Sequence, residues 1–157
     1  MTLFYEWLVA LHSWGRWAVF LTAAFVAARA ALGWARGRDW GAADAAAARV
    51  WVGSVDVQAL LGMTLYFAVS PLAFVARLDP AGAWRDPTLR FFGALHPVLM
   101  AGAFAATHAT WVAVRRVGAS RERFGRLGLG ALAALGLLAL ATPWPALAYG
   151  RPLFRAP

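Results

Sequence analysis

Apolar residues in this chain fall in four long runs, separated by short stretches rich in arginine, aspartate, glycine and proline. The runs cover about residues 3–32, 47–75, 89–114 and 127–149. Each exceeds the ~20 residues that a helix needs to cross a bilayer core. Backbone groups in lipid must be satisfied internally, so each run is expected to be a helix. The connections are short, which predicts an all-α, up-down four-helix transmembrane bundle forming a single domain over residues 1–157.

The connections carry the topology signal. The first, Gly33 to Ala46, holds Arg36, Arg38, Asp39 and Asp44. The second, Ala76 to Thr88, is broken by Pro80, Gly82 and Pro87. The third, Arg115 to Arg126, holds five arginines against one glutamate. With Arg29 and Arg49, the first and third connections hold nine arginines; the second, with Arg90 and the tail residues Arg151 and Arg155, holds five. The positive-inside rule then places both termini on the non-cytoplasmic side. Trp34, Trp40, Trp51 and Trp111 fall towards the cytoplasmic side and Trp7, Trp84 and Trp144 towards the other, as interface anchors do. Gly128, Gly130 and Gly136 in the last run are expected to let helices approach closely.

Composition narrows the chemistry. Hydrophobic residues make up 62% of the chain and charged residues 14%, too apolar for a soluble domain of this size. The first run lacks a basic leader region and a small-residue cleavage site, so it is expected to span and not to be removed. There is no cysteine, which excludes disulfides, thiolate metal sites, iron–sulfur clusters and covalently attached haem. The net charge is +8, all of its basic part arginine, but the arginines flank the runs and form no continuous stripe. That pattern fits topology and contact with anionic lipid, not nucleic acid. A multi-pass protein of the bacterial inner membrane is the expectation.

Three histidines lie inside the runs, where titratable side chains are costly and mark candidate sites. Counting from Thr2, His12 lies ~15 Å along the first helix; counting from Thr88, His96 lies ~12 Å along the third. Two helices entering from one side thus bring two histidines to one depth, the arrangement that holds a single haem iron from both faces. His108 is ~18 Å from His96 on the same helix and belongs elsewhere. Asp56, the only carboxylate expected well inside a run, reaches the depth of His108, so a second polar site of Asp56 and His108 is expected. Gln58 lies near Asp56 but on a different face. Arg16, one turn beyond His12, needs an anionic partner: a haem propionate or Asp56. Pro97 predicts a local kink after His96. Met100 and Met63 are alternative axial ligands, although methionine in an apolar helix ordinarily only packs. No third or fourth donor assembles for a non-haem metal, and no hydrolytic motif or carboxylate pair is present.

The segments LHSWGRW (11–17), VDVQALLGMTLYF (55–67), RFFGALHPVLM (90–100) and TPWPALAYGRPLFR (142–155) resemble those of small bacterial four-helix membrane proteins described as cytochrome b-like. The resemblance runs over essentially the whole chain. It implies a b-type haem held by inward-facing histidines and a place in membrane electron transfer. The matching positions are His12 with Arg16, then Asp56 and Gln58, then His96. Two bis-histidine haems need four histidines, so the three here leave room for one.

The expected function is therefore electron transfer, with haem b bound by His12 and His96 beside Arg16 and a link to a quinone or quinol. Two other readings stay open. One is a non-enzymatic structural or assembly subunit of a larger respiratory or photosynthetic complex. The other is a small proton or solute carrier using Asp56 and His108. The expectation is an electron carrier or subunit and not a stand-alone enzyme.

Overall fold

The computed structural model describes residues 2–156, which are all-helical with no strand among them. Helix α1 spans Thr2–Ala35 and α2 spans Ala42–Thr64; a π-helical turn, Leu65–Val69, extends α2. Three short helices follow, α3 (Pro71–Leu78), α4 (Pro80–Arg85) and α5 (Pro87–Arg90). A second π turn, Phe91–Leu95, leads into α6 (His96–Arg115), and α7 spans Ser120–Ala141. Four stretches are long and apolar enough to cross a membrane: Leu3–Ala35, Ala42–Val69, Pro87–Arg115 and Ser120–Ala141. Their outward apolar faces suit contact with a lipid bilayer.

Local chemistry sets the ends. Gly37 takes φ +59° after α1, the left-handed conformation that glycine adopts without a Cβ clash. The amide of Arg38 then donates to the Gly33 carbonyl at 3.0 Å, closing a Schellman motif. Each short helix starts with proline, whose missing N–H costs nothing in a first turn. The residue before each proline caps it: Ser70, Asp79 and Asp86 accept from the amides of Ala73, Gly82 and Leu89.

Three boundaries differ from the sequence expectation. The second run is not one helix over 47–75; it breaks at Ser70, whose backbone is forced extended by Pro71. The connection read over 76–88 is itself mostly helical, in α4 and α5. The fourth helix runs from Ser120 to Ala141, not 127–149, because Pro143 and Pro145 cannot continue it.

Helix α7 packs against both α1 and α6, α2 packs against α1, and the α2–α6 seam is the thinnest of the four. The core stripe of α7 is Phe124, Leu127, Ala131, Ala134 and Leu138; that of α1 is Val19, Ala23, Val26 and Ala30. Both follow the three-and-four spacing of a helix face, and the alanines bring the backbones close. Gly130 faces Thr110 with no room for a side chain and Gly128 faces Ala30, as expected of close-approach glycines. Gly136 faces open space, so that expectation fails there. Trp51 is no interface anchor; it is fully buried in the core.

The first connection is tied down by Asp44, which lies in the first turn of α2 and not in a loop. Its side chain is 1% exposed and accepts from Arg29 Nε at 2.7 Å, from both Arg38 Nη atoms at 2.8 and 3.0 Å, and from the Gly41 amide at 2.9 Å. Asp44 thus lies at the end of a helical span, whereas Asp56 lies well inside one. The hydrogen bonds to Asp44 hold the Arg38 guanidinium's pKa above its ordinary value.

Candidate functional site

His12 and His96 meet. Their ring centroids lie 6.2 Å apart with the planes at 78°. Helix α1 carries His12, and α6 begins at His96, directly after the π turn. Pro97 has no N–H to give to the Gly93 carbonyl, one turn back; the Tyr66 hydroxyl donates to that carbonyl at 2.8 Å. The irregular backbone expected at Pro97 is thus present, displaced to the residues before His96 and held from the end of α2.

Each histidine is fixed from behind. His96 Nδ1 lies 2.8 Å from the carbonyl of Ala141, the last residue of α7. A carbonyl only accepts, so Nδ1 carries the hydrogen and a neutral ring keeps its Nε2 lone pair free. His12 is held through its backbone: Gln58 Nε2 donates to the His12 carbonyl at 2.9 Å and comes within 3.5 Å of the His12 ring nitrogen Nε2. The ring lies against Gly62, where an added Cβ would stand 3.1 Å from His12 Cε1. Gly15 likewise makes way for the Gln58 side chain.

Sequence reasoning set Gln58 apart because it is opposite Asp56 on the helix. The missing signal was the heptad-spaced inward stripe of Ala48, Trp51 and Val55, which Gln58 continues.

Arg16 does not meet Asp56. Its Nη2 donates to the carbonyl of Leu153 at 2.6 Å. The same carbonyl receives Trp17 Nε1 at 3.1 Å and Ser13 Oγ at 3.4 Å, while Trp14 Nε1 donates to the Arg155 carbonyl at 3.1 Å. The segment after α7 thus folds back along α1.

Four buried side-chain polar atoms have no hydrogen-bond partner among the described residues, and three of them belong to this site: His12 Nδ1, Arg16 Nε and Gln58 Oε1. Buried polar atoms in folded proteins are nearly always paired, so such a cluster marks a place where a ligand or water is accommodated. Two cavities flank the pair. One, of about 340 Å³, opens along the α2–α6 seam and is lined almost wholly by apolar groups, including Met63, Met100 and Phe104. The other, of about 220 Å³, is bounded by Arg16, Arg151 and Arg155. Both are bordered by His12, Gln58, His96 and Met100, so they adjoin at the histidines.

His108 and Asp56 form a separate pair, with Nε2 to Oδ1 at 2.8 Å and the Phe104 ring tilted against His108 at 4.3 Å between centroids. Neither borders either cavity. Their side chains are 38% and 49% exposed, on the outer surface of the α2–α6 seam.

Among the described residues no group of three histidine, cysteine, aspartate or glutamate side chains converges on a metal-sized site. No protein-family model, curated protein or solved structure matches the chain.

Proposed function

We propose that this protein is a membrane electron carrier that holds one haem b between His12 and His96. The observation that carries the reading is the close approach of the His12 and His96 rings. Two imidazoles that share one metal have centroids about 6 Å apart, and His12 and His96, 6.2 Å apart, would be the residues to hold it. Among the described residues no third histidine and no carboxylate joins them, so a metal held here would need to bring most of its own ligands, as a metalloporphyrin does. The bond from His96 Nδ1 to a backbone carbonyl is what orients an imidazole ligand and fixes its tautomer. An apolar cavity on one side and an arginine-bordered cavity on the other suit an apolar ring with carboxylate edges.

Bound haem supplies one-electron chemistry; the protein supplies two neutral imidazole ligands, an apolar wall and local positive charge from Arg16. The distribution of arginines favours an up-down bundle with both termini on the non-cytoplasmic side of a bacterial inner membrane. The histidine pair then lies in the outer half of the membrane, and the opening of the larger cavity along the seam gives a lipid-soluble quinol an approach from the bilayer.

The test is haem stoichiometry. Protein made in haem-replete cells is expected to hold one extractable haem b per chain, and His12→Ala and His96→Ala each to lose most of it. Full retention in both variants would refute the assignment.

A second reading, a subunit of a larger respiratory or photosynthetic complex, is favoured by the half-exposed Asp56–His108 pair. An ionisable pair facing hydrocarbon is costly and is ordinarily covered by protein. The two readings are compatible, since a carrier can be a subunit.

A further inference from the structure

Three arginines border one cavity, and no aspartate or glutamate is among the described residues that line it. Arg16 comes from α1; Arg151 and Arg155 come from the folded-back segment. Among the described residues, no acidic side chain lies within ion-pair distance of any of the three. The contrast with the other end of α1 is direct. There, the guanidinium groups of Arg29 and Arg38 converge on Asp44.

The segment that brings the arginines is built, not loose. The Arg151 amide donates to the Pro143 carbonyl at 3.0 Å, turning the chain back to the end of α7. Gly150 sits against the carbonyls of Trp144, Pro145 and Leu147, where no side chain fits. The Arg151 guanidinium lies 5.2 Å from the Phe92 ring centroid, beside the π turn. Arg16 uses one of its five N–H donors on Leu153, and its Nε is buried without a partner. Half-buried like charges gathered in one cavity repel, and an anion placed among them removes that cost while taking up the unused donors.

We propose that Arg16, Arg151 and Arg155 form an oxyanion site for the acidic group of an amphipathic ligand, whose apolar body passes the two histidines into the cavity along the α2–α6 seam. The adjoining cavities, one cationic and one apolar, carry this chemistry whether or not an iron is present. Two sources share it: the propionates of a haem, and the carboxylate of a long-chain fatty acid from the bilayer. The first source rests on the haem reading; the second does not.

The experiment compares each acid with its ester on the purified full-length chain in nanodiscs. The probes are haemin against haemin dimethyl ester, followed by absorbance, and oleate against methyl oleate, followed by displacement of a fluorescent fatty acid. At least one acid is expected to bind about tenfold or more tightly than its ester, the difference that charge-assisted pairing with guanidinium supplies. The double variant R151Q/R155Q is expected to bring that acid down to its ester, and R151K/R155K to restore part of the preference. Arg16 is left intact in these variants because it also holds Leu153. Preference for oleate without haem binding would uphold the oxyanion site and sink the haem reading. Preference for haemin alone would uphold both. If neither acid is preferred, or if the preference survives R151Q/R155Q, the oxyanion site is wrong.

Discussion

The hydroxyl of Tyr66 donates a 2.8 Å hydrogen bond to the carbonyl of Gly93, joining the end of α2 to the π turn that aims His96. Removing the hydroxyl leaves an acceptor that Pro97 cannot serve, so Tyr66→Phe is expected to cost about 1–3 kcal/mol of stability. Pro97→Ala supplies an N–H one turn from Gly93, so the cost of Tyr66→Phe should shrink in that background. Equal costs in both backgrounds, in a double-mutant cycle measured by denaturant unfolding, would show that the hydroxyl does not stand in for the missing amide.

Asp44 anchors α1 to α2 with four donors on one buried carboxylate. Asp44→Ala strands Arg29 and the Gly41 amide and is expected to destabilise by about 3 kcal/mol. Asp44→Asn keeps an acceptor and should cost less. Arg38→Ala should cost least, because that side chain is 41% exposed. An Asp44→Ala effect under about 0.5 kcal/mol in the same unfolding assay would remove the anchor from the description.

The four apolar spans, the near approach of His12 to His96 and the pairing of Asp56 with His108 were all legible, because helical rise and run length fix depth along an axis. Azimuth was less legible. Asp56, two residues away, sets Gln58 on a different face, but only the stripe of Trp51 and Val55 shows that this face is the buried one. The break at Ser70 was masked because apolar residues continue on both sides of it; only Pro71 gave it away. The return of the last segment to Arg16 could not be read at all, since a backbone carbonyl such as that of Leu153 leaves no residue-type signature.

That return gives a third prediction. Deleting residues 151–157 removes the acceptor shared by Ser13, Arg16 and Trp17. The truncated chain should lose about 2–4 kcal/mol, since bonds to a charged donor count for more than neutral ones. A thermal midpoint equal to that of the full chain would mean that the segment does not brace α1.

The Asp56–His108 pair should stabilise the isolated chain only modestly. Single alanine substitutions are expected to cost about 1 kcal/mol each and the double substitution little more, as found for interhelical polar bonds in membranes. If the pair lies against a partner, Asp56→Ala should lower the mass of the complex recovered in mild detergent while leaving the free chain folded. An unchanged complex would place the pair in lipid or water instead.

The most direct measurement is the reduced-minus-oxidised absorbance spectrum of the protein purified from haem-replete cells. A haem held by both His12 and His96 predicts a Soret band with the sharp visible bands of a six-coordinate, low-spin b-type centre, lost on His12→Ala or His96→Ala. A wild-type chain with no Soret band would contradict the haem assignment outright.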